Sequence, residues 1–521
     1  MPTFPAHAPF SGVRRLFMRS AFIALGVVLL GFGVATYKRA TAGELWAGVA
    51  KQDITDREAG PVNDTLYVKA LVLKSDAVAV AVVTVDAVAI GEIGRIKNSF
   101  LVDVRSQLAK ELPLKPEHIL VNASHCHGVV STDVERRTIE AVKQAWQAMV
   151  PVSVGVGVGK EERISENRRL RLQDGSEADV RHAYALPRND DVAGLGPVDP
   201  EVGILRFDRR DGRTLAVVYN FACHPIMGVP SGGNTADFPA FASKAIEDTL
   251  GEGMMAFFVQ GCAGDINPIR YKDVHQPHDA EPLGNLLGLN VLRTLKAVRI
   301  TDDVELRAVS EHLALPRETD FDNRMKAIEA EQSKLLSSLK GTSLNFETFA
   351  PLWVQYKLAG DYPSYYSHLY KREKQLGRED LQKLDAVNRA NIDAYLRNIQ
   401  TMEQLTRLQT NLALLKKHRA QTIAAGSGTL DVEIAGLRIG DFRLVTFPGE
   451  LTAQIGLNIK QQAVHDLTFV AGYTNGYIYY APTSEQRRNS GYAQEDCDCL
   501  LAPEWQRLFE EKARSVLKSL E

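Results

Sequence analysis

Cysteine is scarce in this sequence, with five residues among 521. Three of the five lie inside candidate site motifs described below: Cys126, Cys223 and Cys262. Only Cys497 and Cys499 are then left to pair in an exported chain. A disulfide between residues two positions apart is strained, so pairing of one of them elsewhere and two free thiols are equal alternatives.

An excess of positive charge is also absent. The chain has 61 lysines and arginines against 64 aspartates and glutamates, a formal net charge of -3. Because binding to many phosphates requires a positive excess, nucleic acid is not expected as a partner. Internal repeats and low-complexity tracts are missing as well. A hydrophobic share of 45% in 521 residues is typical of a globular protein with one large domain and at least one appended element.

The N-terminus departs from this average composition. The uncharged run Ala21–Tyr37 indicates an export signal, at the lower limit of the roughly 20 apolar residues that span a bilayer. Small residues at Ala40-Thr41-Ala42 fit a cleavage site, whereas cations on both sides of the run favour an uncleaved anchor. We expect residues 1–43 to hold a cytoplasmic N-terminus and a signal or anchor helix. The rest would be exported, and either membrane-anchored or, after cleavage, periplasmic or secreted.

Short β-branched runs alternate with helical patterns in residues 44–315 and 426–521, which predicts an α/β domain. The expected strands are Val68–Leu73, Ala77–Val85, Val152–Val158, Val217–Phe221, Met255–Val259, Val432–Ala435, Phe442–Phe447 and Leu467–Ala471. The expected helices are Ile93–Glu111, Glu135–Met149, Phe238–Leu250 with Asp237 as its N-cap, Leu451–Gln462 and Pro503–Leu520.

Residues 316–425 interrupt this domain with charged, leucine-rich sequence. Apolar residues recur there at steps of three and four, namely Ile392, Leu396, Ile399, Met402, Leu405, Leu408, Leu412 and Leu415. A solitary amphipathic helix of this length must bury its apolar stripe, so a helical hairpin or small bundle is predicted as an insertion. The aromatic-rich stretch Leu344–Tyr370 either lines an acyl-binding cleft or touches a membrane, or it belongs to the core, which is the commoner role of aromatics at helical spacing.

Two histidine motifs follow predicted strands. In Asn122–Gly128, His125 and His127 come directly after an apolar run and share a face if the chain is extended. Such a pair is compatible with zinc binding and with ordinary polar packing. In Asn220–Pro225, a strand delivers His224 just before a proline.

A carboxylate follows a third strand, in Phe447-Pro-Gly-Glu450. On its own, Glu450 would pass as an acid in the first turn of a helix. Together with two imidazoles from other strand ends, it completes a set of the two-histidine, one-glutamate type, which binds catalytic zinc and leaves a position for water. One Zn²⁺ per chain is therefore predicted.

The combination of motifs resembles the catalytic domain of the neutral, non-lysosomal ceramidases over nearly all of residues 46–520. The matching segments, in the same order, are Gly48–Thr55, Asn122–His127, Asn220–Pro225, Ala236–Pro239, Val259–Pro268, Phe447–Glu450 and Asn475–Tyr480. The resemblance implies an α/β fold with a mixed sheet, here carrying a helical insertion and preceded by the apolar segment.

The resemblance also implies roles for single residues. The zinc ligands would be His125, His224, Glu450 and the phenol oxygen of Tyr480. His127 would face the reacting water or the leaving amine, Arg168 would contact the substrate, and Tyr492 would be a second active-site tyrosine. Asp86 and Asp237 would orient the ligand imidazoles, unless they only end a strand and cap a helix.

Three departures from the family pattern affect this interpretation. Cys262 stands where those enzymes carry a serine, so it is either a nucleophile or an inert packed thiol, of which the second is favoured. The long enzymes have a further C-terminal β-sandwich domain, whereas this chain ends soon after Tyr492. The helical insertion has no counterpart in them, which suggests a different cleft.

The predicted function is zinc-dependent hydrolysis of an N-acyl amide, with ceramide or a related N-acyl lipid as substrate and a membrane as partner through the N-terminal segment. Zinc lowers the pKa of bound water from about 15.7 to about 7, which makes hydroxide available at neutral pH. Two alternatives remain: a membrane-tethered, non-catalytic binding or assembly protein, and a metal hydrolase of a non-lipid amide or ester.

Overall fold

The computed structural model describes residues 44–521 except 77, 181–185, 188, 274, 303, 360–367 and 490–492. The predicted signal or anchor segment and Tyr492 lie outside the described residues. Within these ranges, no helix has both the length and the apolar character needed to cross a bilayer.

Twenty strands are formed by the described residues. They are β1 (Trp46–Asp53), β2 (Tyr67–Lys74), β3 (Ala79–Val85), β4 (Ile119–Ala123), β5 (Val150–Lys160), β6 (Ser165–Asn167), β7 (Arg169–Leu172), β8 (Glu177–Asp179), β9 (Val192–Leu195), β10 (Glu201–Arg209), β11 (Thr214–Phe221), β12 (Met255–Gln260), β13 (Ile266–Pro268), β14 (Ile300–Thr301), β15 (Leu306–Pro316), β16 (Thr429–Ile439), β17 (Phe442–Thr446), β18 (Glu450–Leu451), β19 (Thr468–Ala471) and β20 (Tyr480–Ala481).

Ten α-helices are formed by the same residues. They are α1 (Phe100–Glu111), α2 (Val134–Gln147), α3 (Asp237–Leu250), α4 (Glu281–Leu295), α5 (Phe321–Ser338), α6 (Phe346–Leu358), α7 (His368–Gln375), α8 (Asp380–Ala425), α9 (Ala453–Gln462) and α10 (Trp505–Ser519).

A nine-stranded mixed sheet lies at the centre, in the order β12-β11-β10-β5-β1-β2-β3-β4, with β14 paired to β5. Its neighbours are mostly antiparallel, but β3–β4 and β11–β12 are parallel. A second sheet has the order β15-β16-β17-β19. Three small sheets, β13-β6, β18-β20 and β8-β7-β9, lie outside these two.

Burial on both faces of the central sheet explains its apolar strands. In β2, Val68, Ala70 and Val72 pack with α1 and α2, whereas Leu71 and Leu73 pack with residues of the second sheet. Side chains of a strand alternate between faces, so a strand buried on both sides is apolar throughout. Helices α3 and α4 cover β10 to β12 on the α1 side, and α9 and α10 cover the outer face of the second sheet. The layers are therefore helix, sheet, sheet and helix.

The predicted strands and helices of the α/β part are confirmed, with one clear difference. The helix expected over Ile93–Glu111 begins only at Phe100. Three of the four residues 91–94 depart from right-handed backbone, with positive φ at Gly91, Glu92 and Gly94. Helical backbone cannot propagate through such residues, which explains the late start.

Helices α5 to α8 occupy most of residues 321–425. The apolar stripe of α8 is helical as predicted, and Leu408, Leu412 and Leu415 are buried against α5. The expected burial is confirmed also for Ile392, but it is wrong in the middle of the helix, where Ile399 is 38% and Met402 52% exposed.

The core interpretation of the aromatic stretch is confirmed for some of its residues and wrong for others. Phe349 is buried and stacks on Tyr395 at 4.4 Å between ring centroids, and Tyr370 is buried, as the core interpretation predicts. Phe346 is 70% exposed and Trp353 is 38% exposed, so the core interpretation is wrong for these two.

Candidate metal centre and active-site cavity

Three side chains from distant parts of the chain meet at one point. His125 follows β4, His224 follows β11, and Glu450 begins β18. The Glu450 Oε2 atom lies 3.1 Å from His224 Nε2 and 3.5 Å from His125 Nε2, and one ligand atom from each residue lies within 4.8 Å of the others. Ligands at about 2.0–2.2 Å from a tetrahedral zinc ion are about 3.3 Å apart, so this donor set fits the metal.

Backbone carbonyls orient both imidazoles. His125 Nδ1 lies 2.6 Å from the Val88 oxygen, and His224 Nδ1 lies 3.0 Å from the Ile266 oxygen. A ring nitrogen that donates to a carbonyl leaves the other nitrogen as an acceptor, so both Nε2 atoms present a lone pair to the same point.

The predicted orienting role of two acids is therefore wrong for these two ligands. The Asp86 carboxylate accepts from the Tyr67 N–H at 2.8 Å, and burial raises its pKa to about 6. The Asp237 carboxylate accepts from the N–H groups of Gly228 and Phe238. Burial raises the pKa of Asp237 to about 7. Asp237 is also the first residue of α3 rather than its N-cap, which is Ala236.

The pKa shifts of Glu450 and His125 favour the forms that bind a cation. Burial by itself raises the pKa of Glu450, but His125, His224 and a hydrogen bond from Tyr477 lower it well below its usual range. Burial lowers the pKa of His125 to about 4, against the opposing effect of Glu450. An ionised carboxylate and a neutral imidazole are the forms that bind metals.

Two tyrosines that the sequence analysis missed donate to Glu450. Tyr473 Oη lies 3.2 Å from Oε2, and Tyr477 Oη makes a short bond to Oε1. Burial, followed by the Glu450 charge, raises the pKa of both phenols well above 10, so both keep the proton they donate. The signal was present, because Tyr477 lies in the Asn475–Tyr480 motif.

Tyr480, the predicted fourth ligand, lies beside Glu450 through the parallel pairing of β18 with β20. Its hydroxyl is 3.2 Å from a terminal nitrogen of Arg168. Arg168 is fully buried and also donates to Glu495 at 2.7 Å, to Asn267 at 3.0 Å and to the Gly264 carbonyl at 2.6 Å. Burial by itself lowers the pKa of Arg168, but Glu495 raises it well above its ordinary value and keeps the guanidinium cationic.

The backbone around the site is strained. His125, Asp237, Tyr473, Asn475 and Tyr479 have φ between 52° and 68°, a left-handed region that non-glycine residues rarely adopt. Such residues cost of order 1–3 kcal/mol each and persist only where surrounding contacts hold them, typically at functional sites. For His125 this conformation replaces the extended His-x-His geometry that the sequence suggested.

Close backbone approach accounts for one glycine in the Val259–Pro268 motif. A Cβ atom on Gly264 would lie 2.6 Å from the Glu450 carbonyl oxygen, nearer than any real contact allows. Glycine at this position therefore lets β18 and the motif pack together and keeps Glu450 in place.

A cavity of about 670 Å³ opens onto these groups. Its volume is in the usual range for small-molecule sites. His127 lies on its wall, with its ring 5.7 Å from that of His125 and nearly perpendicular to it. The other polar lining residues are His125, Arg168, His224, Asn234, Thr235, Asp237, Tyr271, Lys417, Glu450, Tyr477, Tyr479, Tyr480 and Asp498. Among the described residues of the aromatic stretch 344–370, none lines this cavity.

Cys262 lies in the core rather than on the cavity wall. It belongs to a buried cluster with Leu451, Ile455 and Phe447, and a Cβ on Gly456 would touch its sulfur. Burial raises the pKa of its thiol far above 9, so the reactive thiolate is disfavoured. These observations favour the inert-thiol interpretation. The remaining cysteines, Cys497 and Cys499 included, are free thiols and buried.

Comparisons with known proteins were made at the levels of sequence family, curated sequence and structure. No family model and no curated protein matches the chain. Among solved structures, a neutral ceramidase from Pseudomonas aeruginosa matches with a TM-score of 0.56 and 16% identity over 91% of this chain and 75% of that one. A ceramidase complexed with C2 matches with the same TM-score and identity over 92% and 75%. The chain therefore has a ceramidase-like α/β fold.

Proposed function

We propose that this chain is a zinc-dependent amidohydrolase that cleaves N-acyl amides, with ceramide or a related N-acyl lipid as the substrate class. The observation that carries the proposal is the convergence of His125, His224 and Glu450 on one point of a cavity. The ceramidase-like fold supports it.

In this proposal His125 Nε2, His224 Nε2 and Glu450 Oε2 would hold one zinc ion, with Tyr480 as a fourth ligand. When bound, zinc supplies a Lewis acid and lowers the pKa of a bound water to about 7. Arg168 donates to the Tyr480 oxygen and stabilises negative charge on it, as a ligand role requires. Tyr473 and Tyr477 fix the Glu450 carboxylate.

The reaction adds water across the amide. A bond forms between the water oxygen and the carbonyl carbon, the C–N bond breaks, and the nitrogen leaves with a proton as the amine. His127, on the cavity wall, is the group that would carry this proton from the water to the nitrogen. Its position beside His125 suits that role.

The N-terminal segment bears on where the reaction occurs. Export, with residues 1–43 as an anchor or a cleaved signal, would place the cavity outside the cytoplasm and next to lipid. An anchored form and a form with a cleaved signal are both part of the proposal.

The test uses the purified chain in detergent. Zinc content is measured by elemental analysis, and fatty-acid release from a fluorescent N-acyl sphingosine is measured with and without chelator. We expect one zinc per chain and chelator-sensitive release, and we expect His125→Ala and His224→Ala to lose both. His312→Ala is the matched control, because His312 is exposed and pairs only with Asp431 at the surface.

Each contrary result points to an alternative. Stoichiometric zinc retained by His125→Ala and His224→Ala would refute the ligand assignment. Zinc without release would indicate a hydrolase of another amide or ester. Absence of zinc in the unaltered chain would favour the non-catalytic binding protein.

A further inference from the structure

The long helix α8 contributes a side chain to the wall of the active-site cavity. Lys417, near the C-terminal end of this helix, lines the cavity together with Tyr477 and Tyr479. The helix is therefore part of the site as well as a neighbour of it.

Three side chains of helix α8 contact Tyr479. The Lys417 ammonium lies 4.0 Å above the centre of the Tyr479 ring, and the His418 ring meets it edge-on at 4.7 Å. One turn further on, Gln421 Nε2 donates to the Tyr479 hydroxyl at 2.9 Å. Tyr479 itself has left-handed backbone, with φ at 63°. These contacts fix the position of Lys417 relative to the cavity.

The other charged groups on the wall are already matched. Arg168 pairs with Glu495 at 2.7 Å, and Asp498 lies 2.7 Å from His418 Nε2. Asp237 accepts two backbone N–H bonds, and Glu450 belongs to the metal centre.

Lys417 differs from these groups. Among the described residues, no carboxylate lies within 4 Å of its ammonium, which lies over the Tyr479 ring. Glu92 accepts from the hydroxyl at the edge of that ring, but it is not among the lining residues. Among the described lining residues, Lys417 is thus a cation without a salt-bridge partner.

Lys417 and the metal centre line the same cavity, with aromatic side chains between them. The rings of Tyr479 and Tyr477 have centroids 5.3 Å apart, and the Tyr477 hydroxyl bonds to Glu450. Two aromatic rings therefore separate the Lys417 ammonium from the metal-binding carboxylate. A substrate that fills the cavity with its amide at the metal centre would bring another part of the molecule to Lys417.

We propose that Lys417 determines specificity by binding an anionic group of the substrate, so that the preferred substrates are N-acyl amides that carry a negatively charged group. This inference rests on the proposed amidohydrolase function. An ammonium is a compact point charge that suits carboxylate and phosphate alike. A neutral amide such as ceramide would leave it unused.

The experiment compares amides that differ in charge. The substrates are N-lauroylglycine with a carboxylate, N-lauroyl-phosphoethanolamine with a phosphate, and the neutral N-lauroylethanolamine. Variants Lys417→Gln and Lys417→Glu remove and reverse the charge. Lys416→Gln is the matched control, because Lys416 is the adjacent residue of α8 and lines a different surface depression, beside α5.

We expect the unaltered chain to favour one or both anionic amides in kcat/KM. Lys417→Gln should reduce that preference about ten-fold through KM, and Lys417→Glu should reduce it further. Lys416→Gln should leave it unchanged. Loss of the preference for only one anionic amide identifies carboxylate or phosphate as the natural group. A Lys417→Gln preference equal to that of the unaltered chain overturns the inference.

A second readout separates this inference from the proposed function. The dissociation constant of N-lauroylglycine is measured by calorimetry for each protein, whether or not the amide is cleaved. Weaker binding by Lys417→Gln than by Lys416→Gln supports the anion site even without turnover. Equal binding by the two variants refutes it even if neutral amides are hydrolysed.

Discussion

At the scale of single residues, the polar contacts of the site converge on Glu450. Two imidazole nitrogens lie within 3.5 Å of its Oε2 atom, and two tyrosine hydroxyls donate to its oxygens. With its lone pairs divided among these partners, the carboxylate has one orientation. A carboxylate held in this way binds a metal without first having to lose rotational freedom.

Removing one of these donors should weaken the metal centre without disrupting the fold. We expect Tyr477→Phe to raise the dissociation constant for zinc by about 10- to 100-fold, the usual cost of losing a group that orients a ligand. The measurement is competition with a chromogenic chelator. Tyr395→Phe is the control, because Tyr395 stacks on Phe349 within residues 321–425. Equal affinities for the two variants would refute this role.

The three candidate ligands were predictable because each lies within four residues of the end of a strand, β4, β11 or β17. The two tyrosines that donate to Glu450 were harder to predict from the sequence. The segment Asn475–Tyr480 holds three tyrosines, and its backbone has positive φ at Asn475 and Tyr479. Strand alternation does not apply to such a segment, so sequence could not decide which hydroxyl meets Glu450.

At the scale of elements, α8 differs from the other helices. Its 46 residues correspond to a length of about 69 Å. The C-terminal part packs against α5 and Cys497 and carries Lys417 into the cavity wall. Arg407 of the same helix donates to the Asp179 carbonyl at 2.9 Å. The helix is thus tied to the α/β part at several points along its C-terminal half.

The two parts of this helix should respond differently to truncation of an apolar side chain. We expect Leu412→Ala to lower the free energy of unfolding by about 2–5 kcal/mol, because Leu412 is buried between α5 and α8. Met402 lies earlier on the same helix and is half-exposed, so Met402→Ala should change the free energy of unfolding by less than about 0.5 kcal/mol. Urea denaturation followed by circular dichroism measures both. Similar losses would contradict the observed difference in packing.

Periodicity predicted that residues 392–415 form a helix but not which part of it is covered. The steps of three and four show which face of the helix is apolar, but they are the same where that face is exposed and where it is buried. Burial of the stripe depends on its contacts with α5 and with the segment around Cys497, and both are distant from it in sequence. The position of Lys417 on the cavity wall could not be predicted for the same reason, since a single lysine on a charged helix carries no periodic signal.

At the scale of the whole molecule, the metal centre joins the two large sheets. His125 and His224 follow strands of the central sheet, whereas Glu450 follows β17 of the second sheet. A bound ion would therefore connect layers that otherwise meet through apolar contacts.

Metal removal should consequently lower thermal stability as well as activity. We expect the midpoint temperature of unfolding to fall on treatment with a chelator and to recover with added zinc. At a free zinc concentration 1,000 times the dissociation constant, the stabilisation is about 4.1 kcal/mol. Differential scanning calorimetry measures the shift. His125→Ala is the control and should show none, and a similar shift in that variant would indicate zinc binding elsewhere.

The order of the strands in the two sheets was not predictable from the sequence. Alternation of apolar runs identifies strands and helices, but it does not specify which strands pair. The pairing of β5 with β10 and of β1 with β2 depends on surface buried between distant segments. The order of the sequence motifs supplied part of this information, because the resemblance to ceramidases that it carries implied a mixed α/β fold.

The spacing of the ligands along the chain has a consequence for biosynthesis. Glu450 is 226 residues beyond His224. During synthesis both histidines emerge long before the carboxylate that completes the centre, and closing so long a loop comes late in folding. A chain exported before it folds would therefore acquire its metal only in the compartment where it completes folding, and the zinc supply of that compartment would set the fraction of active molecules.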